Sequence, residues 1–236
     1  IRLYRMADRL IALTNAEKRR MTQLGVPEDR ITVTGIGPVL AEEAHPHAFA
    51  NKHSIDGPII LFLGQHYPYK GYRAVLEATR LVWERIPEAH FVFAGPAVGN
   101  SERVFSTKAD RRIHRLGRVD LQEKTDALAA CSLLCVPSTQ ESFGGVYTEA
   151  WSFGKPVIGC KIPAVSEVIT EGIDGYLVEQ EPGQIAERVV NLLLNPGNAR
   201  SMGEEGRQKV LERYTWPNLA RLTEEAYLQS FNGGVG

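Results

Sequence analysis

The chain has 236 residues, of which 43% are hydrophobic and 23% charged, with a formal net charge of -1. These proportions are ordinary for a globular protein that buries one large core or two smaller ones. Because the net charge is close to zero, the chain has no overall positive field that would attract nucleic acid. No apolar run approaches the roughly 20 residues of a membrane span. The three cysteines, an odd and sparse number, argue against a disulfide framework and for a reducing compartment.

The first forty residues contain short elements separated by breaks. An apolar run at 10–14 is followed by a helix predicted over 17–24, which Gly25 ends. A second short strand is predicted over 31–34, where polar and apolar residues alternate. Beyond it the pattern dissolves, and we interpret 41–57 as a linker.

From residue 59 onward, predicted strands and helices alternate. Mainly apolar runs predict strands at 59–63, 90–94, 133–136, 156–160 and 175–178, and a further short strand is predicted at 113–116. Helical patterns lie at 72–85, 121–130, 165–171, 184–194, 199–214 and 216–230. This alternation is typical of an α/β protein with a Rossmann-like, doubly wound parallel sheet.

Two carboxylates flank a glycine turn after the strand at 133–136. Glu141 precedes the turn, and Glu149 lies in the short helix that Gly144 and Gly145 open. Unpaired N–H groups at a helix start favour phosphate, whereas carboxylates accept hydrogen bonds from sugar hydroxyls. The segment therefore suits a ligand with hydroxyls at both ends and phosphate between them, such as a sugar nucleotide. On spacing alone, it equally fits two carboxylates that have only a structural or surface role.

A second polar loop follows the first strand of the predicted sheet. It runs from Gly64 to Tyr72 and carries Lys70. In open α/β sheets, ligands bind outside the carboxyl ends of the strands, so a lysine here would face their phosphates. Taken by itself, the loop also fits an ordinary strand–helix connection with a solvated lysine.

Together, in this order, the two segments resemble the E-x7-E signature of the retaining group 1 glycosyltransferases, which have the GT-B fold. The match includes Glu141-Ser-Phe-Gly144, Glu149-Ala150 and Gly154-Lys-Pro-Val157, with Lys70-Gly71 upstream. The resemblance covers nearly the whole chain. It implies the C-terminal half of a GT-B fold, together with a remnant of the N-terminal domain.

The resemblance implies four segments. Residues 1–40 would be the tail end of an N-terminal, acceptor-side domain, and 41–57 the linker. Residues 58–215 would form the nucleotide-sugar donor-binding domain. The last segment, 216–236, would be a helix that packs back toward the N-terminal domain.

The resemblance also implies two catalytic residues. Glu141, together with the backbone N–H groups of Phe143, Gly144 and Gly145, would hold the donor sugar and its phosphate. Lys70 would neutralise the diphosphate leaving group, on which charge develops in the transition state. The family is metal-independent, so neither a metal site nor a cofactor is expected.

Further donor contacts are implied at Glu149, for the ribose hydroxyls, and at Arg118 and Val119, which would border the base. Gln65 is also an expected donor contact, although the chain departs from the family here, because an arginine is usual at this position. A glutamine donates hydrogen bonds but brings no charge and no guanidinium fork. Either another cation, such as His66 or Arg73, replaces the charge, or the leaving group is stabilised less.

The function implied is transfer of a hexosyl group from a UDP-, GDP- or ADP-linked sugar to an alcohol acceptor, with retention of configuration. The acceptor would be a glycan, a lipid-linked molecule or a small alcohol, and nucleic acid is not an expected partner. The expected location is cytoplasmic, with peripheral contact at the inner membrane face left open. An inactive sugar-nucleotide-binding module is the alternative. A nicotinamide-dependent dehydrogenase ranks low, because no G-x-G-x-x-G follows a strand.

Overall fold

The computed structural model describes residues 2–232; residue 1 and residues 233–236, the end of the predicted C-terminal segment, lie outside the described residues. The strands are β1 (Leu10–Ala12), β2 (Ile31–Val33), β3 (Ile59–Leu63), β4 (His90–Ala94), β5 (Ile113–Gly117), β6 (Leu133–Val136), β7 (Val157–Cys160) and β8 (Gly175–Val178). The helices are α1 (Arg2–Met6), α2 (Asn15–Gln23), α3 (Pro46–Lys52), α4 (Tyr72–Trp83), α5 (Ser101–Ser106), α6 (Leu121–Ala130), α7 (Gly145–Trp151), α8 (Pro163–Val168), α9 (Pro182–Leu194), α10 (Pro196–Arg213) and α11 (Trp216–Asn232).

The large sheet has six parallel strands in the order β5-β4-β3-β6-β7-β8. Every residue of β3, β4 and β6 is buried, as expected for strands covered by helices on both faces. The predicted doubly wound α/β sheet is therefore confirmed. The chain builds outward from β3 to β5 and then returns to place β6 on the other side of β3, which creates a switch point between β3 and β6.

A small second sheet pairs β1 with β2 in parallel. Helix α11 lies against both of these strands, and α2 packs against α8 of the large unit. The Thr14 hydroxyl donates to the Ser142 carbonyl at 3.1 Å, and Arg19 forms an ion pair with Glu167. The small sheet is thus fixed beside the loop that carries Glu141.

The segment 41–57, predicted to be a linker, contains helix α3. Phe49 of this helix is buried, and α3 packs against α6. Lys52 Nζ pairs with Glu123 Oε1 at 2.6 Å on the same interface. The helix escapes the sequence pattern because it is short and contains a single large apolar residue within its polar surroundings.

Among residues 2–232, no helix is both long enough and apolar enough to cross a bilayer.

Candidate functional site

The loops at the switch point bring together the two predicted catalytic residues. The loop after β3 carries Lys70 and the loop after β6 carries Glu141, 71 residues further along the chain. Lys70 Nζ lies 2.5 Å from Glu141 Oε1, and the two side chains are 23% and 13% exposed. A partly buried ion pair therefore stands where the fold leaves a crevice for a ligand.

The backbone at the carboxyl end of β3 is unusually open. Gly64 has φ +155°, and a Cβ built on it would meet nothing within 4 Å. Gly95, after β4, has φ +144°, and its Cβ would lie 2.0 Å from the Gly64 carbonyl oxygen. Glycine at both positions therefore allows the two loops to touch while one of them stays accessible to a ligand. Gln65, the next residue, is exposed.

The glycine turn before α7 is formed as the sequence predicts. Gly144 caps the helix with φ +86°, and a Cβ there would lie 2.3 Å from the Tyr147 ring. The Tyr147 hydroxyl donates to the Val136 carbonyl at 2.8 Å, which ties α7 to the end of β6. The ring of Phe143 is buried edge-to-face against Tyr214, so only the backbone of this residue is available to a ligand.

Glu149 is buried on α7 and is only 8% exposed. Its Oε1 accepts from Lys124 Nζ at 2.6 Å, and the same ammonium donates to the Val39 carbonyl at 2.7 Å. Burial raises the pKa of Glu149, and Lys124 acts against that rise. The alternative that Glu149 is merely a surface residue is therefore wrong.

Sequence reasoning missed Lys124. It lies on α6, one turn beyond the capping Asp120, whose side chain accepts from the Glu123 N–H. A lysine near the start of an amphipathic helix is usually solvated, so no local pattern marks it. Only the packing of α6 beside α7 reveals its contact with Glu149.

Arg118 and Val119 follow β5 at the same edge of the sheet. Arg118 is exposed and Val119 half-buried. The Gly95 N–H donates to the Gly117 carbonyl at 2.7 Å, which links the loop after β4 to the start of this one. The two residues thus lie on the same side of the sheet as Lys70, displaced toward the β5 edge.

His66 does not supply the charge that Gln65 lacks. Its ring is 2% exposed, and neither ring nitrogen has a hydrogen-bond partner among the described residues. Four aromatic rings surround it: Phe62, Tyr72, Phe93 and Phe105. Burial lowers the pKa of His66, so the imidazole is neutral at physiological pH.

The second suggested substitute, Arg73, is already engaged. Its Nε donates to the Tyr72 hydroxyl at 3.0 Å and a terminal nitrogen donates to Asn100 Oδ1 at 2.7 Å. Lys70 is therefore the cation that the structure places directly against Glu141.

A cavity of about 450 Å³ borders Glu141 on the side of the small sheet. Arg20 of α2 lines it, together with Thr139 and Ser142 from the loop after β6. Within the part of the chain that the structure describes, no three His, Cys, Asp or Glu side chains are arranged to hold a metal ion. The charged groups of the site that the structure describes include the Lys70–Glu141 and Lys124–Glu149 ion pairs and Arg20.

The sheet and the site define an open α/β domain with a polar crevice at the switch point. A family model described as group 1 glycosyl transferases matches residues 57–195, and the chain belongs to that family. It is 29% identical over 242 residues to a D-inositol 3-phosphate glycosyltransferase 2 from Catenulispora acidiphila, with 95% of this chain and 56% of that protein covered.

Two further similarities concern a lipid-related enzyme and a solved structure. The chain is 28% identical over 192 residues to a phosphatidyl-myo-inositol mannosyltransferase from Mycobacterium tuberculosis, with 76% of this chain and 50% of that protein covered. HepE from Anabaena, solved with UDP and glucose, superposes with a TM-score of 0.81 at 19% identity, covering 95% of this chain and 64% of that one. This likeness shows the GT-B fold. The chain spans about half the length of the curated relatives it matches.

Proposed function

We propose that this chain binds a nucleotide-diphosphate sugar at the carboxyl edge of its large sheet, for transfer of the hexosyl group to an alcohol acceptor. The observation that carries the proposal is the Lys70–Glu141 ion pair at the switch point, with Nζ and Oε1 2.5 Å apart. One group can neutralise a diphosphate and the other can accept hydrogen bonds from a sugar. The family to which the chain belongs supports the same reaction class.

Lys70 would act on the leaving group. Negative charge accumulates on the diphosphate as its bond to the sugar breaks, and a fixed cation nearby stabilises that charge in the transition state. In the free protein, Glu141 orients the ammonium; with the donor bound, Lys70 would face phosphate oxygens while Glu141 accepts from the sugar. Because Gln65 is uncharged, Lys70 carries this role alone in its loop.

Glu149 would hold the ribose. Its carboxylate is presented by α7, and Lys124 opposes the rise in its pKa that burial causes. Arg118 and Val119, toward β5, would border the base. Support for a uridine nucleotide comes from HepE, which was solved with UDP and glucose, while GDP and ADP donors remain open alternatives.

The acceptor we propose is a polyol or a lipid-linked alcohol. The similar curated proteins are named for transfer to inositol phosphate and to phosphatidylinositol, which supports this class. Retention of configuration and independence from metal ions are proposed with it, on the resemblance of the E-x7-E segment. A cytoplasmic site, peripheral to the inner membrane face, would suit a lipid-linked acceptor.

A second candidate is an inactive sugar-nucleotide-binding module. The observation that favours it is Gln65, which leaves the loop after β3 one charge short of the family pattern. Such a module would bind the donor through the same groups without cleaving it. Binding and turnover must therefore be measured separately.

The test uses two variants, Glu149→Gln and Glu141→Gln. For each, UDP binding is measured by calorimetry and cleavage of UDP-glucose is measured separately. Glu149→Gln should weaken UDP binding by about tenfold, because a hydrogen bond to a charged group is lost. Glu141→Gln should mainly lower turnover. Glu123→Gln, which removes a half-buried carboxylate of α6 that pairs with Lys52, is the matched control and should change neither.

Each outcome separates the candidates. Equal small effects from both variants would contradict the proposed site. UDP binding by the full-length protein, without cleavage or transfer of any donor sugar, would favour the inactive module.

A further inference from the structure

Gln180 connects the two loops of the site, although it follows β8 at the far side of the sheet. Its Nε2 donates to the Tyr69 carbonyl at 3.0 Å and to the Pro137 carbonyl at 2.9 Å. Tyr69 immediately precedes Lys70, and Pro137 opens the loop that leads to Glu141. A single half-buried side chain therefore joins the backbone on both sides of the ion pair.

The orientation of this amide is set by its partners. A glutamine side chain offers two N–H donors and one acceptor oxygen. Both donors are directed at carbonyl oxygens, and the reverse orientation would place Oε1 of Gln180 against two other oxygens. The bridge therefore requires an amide nitrogen at this position, not merely a polar side chain of the right length.

The loops are also in direct contact around Lys70. Gly71 has φ +89°, and a Cβ on it would lie 2.7 Å from the Pro137 carbonyl oxygen and 3.2 Å from Gln180 Nε2. The Thr139 N–H donates to the Tyr69 carbonyl at 2.8 Å. The residues before and after Lys70 are thus both fixed against the loop after β6.

We propose that Gln180 is a positioning residue, which sets the place of the Lys70 ammonium relative to Glu141 and so to the donor diphosphate. The inference rests on the proposed function, because it requires a diphosphate at this edge of the sheet. Gln180 acts only through the two carbonyls that it bridges. Its effect should therefore appear in recognition of the second phosphate, which Lys70 would contact, and not in recognition of the nucleoside.

The test is the preference of the whole chain for UDP over UMP, measured by calorimetry. Gln180→Met keeps the length of the side chain but removes both donors. We expect it to lower the preference for UDP by about tenfold, with UMP affinity unchanged, because the Pro137 carbonyl loses its side-chain donor, the Tyr69 carbonyl keeps only Thr139, and the loop shifts. Gln180→Asn, which keeps the amide but shortens the side chain, should shift the preference the same way.

Gln184→Met is the matched control. Gln184 Oε1 accepts from the Glu179 N–H at 3.0 Å, so this variant disturbs the same segment after β8 without touching the bridge. It should retain the full preference for UDP. A loss as large as that of Gln180→Met would show that general loosening of the segment, and not the bridge, is responsible, and would overturn the inference.

A double-mutant cycle with Lys70→Met tests the route of the effect. If Gln180 acts through Lys70, Gln180→Met should cause no further loss of preference in the Lys70→Met background. An additive loss, or full preference retained in Gln180→Met, overturns the inference while the proposed function stands. If the unaltered chain shows no preference for UDP over UMP, the proposed function and this inference fail together.

Discussion

Two ion pairs, each with one partner on α6, have the same length but differ in burial. Replacing the lysine of each pair should therefore cost different amounts of stability. Lys124 Nζ–Glu149 Oε1 and Lys52 Nζ–Glu123 Oε1 both measure 2.6 Å. The side chains of the first pair are 19% and 10% exposed, whereas Lys52 is 63% exposed. We predict that Lys124→Met destabilises the protein far more than Lys52→Met.

The magnitude follows from what Lys124→Met leaves behind. Removing one partner of a buried pair costs about 3–5 kcal/mol, because the other charge is left uncompensated. Glu149 keeps slight solvent contact and can take up a proton, so we expect about 3 kcal/mol at pH 7.5. For a chain of this size, that corresponds to a fall in Tm on the order of 6–12 °C. Lys52 is 63% exposed and its pair is screened by water, so Lys52→Met should change little.

The stability lost in Lys124→Met should depend on pH. Burial raises the pKa of Glu149 and Lys124 lowers it, so the pKa rises further when the lysine is removed. A protonated carboxyl needs no cation, so the deficit of Lys124→Met should shrink between pH 7.5 and pH 5.

Urea unfolding followed by tryptophan fluorescence, at both pH values, measures this difference. In the Glu149→Gln background, where the buried carboxylate is already neutral, Lys124→Met should cost less than it does alone. Equal effects of Lys124→Met and Lys52→Met, or a deficit that does not change with pH, would refute the reasoning.

Two further predictions concern the loops beside the site. The pKa of buried His66 is lowered, so the unfolded chain binds more protons and stability falls from pH 7.5 to pH 5; His66→Phe should reduce this fall in urea unfolding, and an unchanged pH profile would contradict the assignment. Gly95→Ala should cost more than about 3 kcal/mol, because its Cβ would meet the Gly64 carbonyl 2.0 Å away. Gly197→Ala, in α10 with nothing within 4 Å, should instead be neutral or stabilising in the same thermal melts.

Much of the large sheet could be predicted because several of its strands are short, mainly apolar and followed directly by glycine or proline. The runs at 59–63, 90–94 and 133–136 coincide with β3, β4 and β6. The meeting of Lys70 and Glu141 was also foreseeable, since parallel strands bring their carboxyl ends to one edge.

The rest depends on contacts between residues far apart in the chain. Gln180 meets its two carbonyl partners across 111 and 43 residues, and no spacing rule connects them. The contact of Lys124 with Glu149 could not be predicted either, because its helix has an ordinary pattern and the contact depends on packing beside α7. Helix α5 was not predicted for a local reason. It has six residues, of which only Ser101 and Phe105 are buried, so no helical pattern is visible in the sequence.

The sheet order gives the proposed donor site a gradient of rigidity. Its phosphate end is built on β3 and β6, which lie at the centre of the sheet and are buried along their whole length, so separating the two loops that form it requires opening these strands. Its base end follows β5, an edge strand with every residue at least partly exposed. If the proposed donor site is correct, we expect sequence change beyond Gly117 to alter its base preference, while the geometry around Lys70 stays as it is.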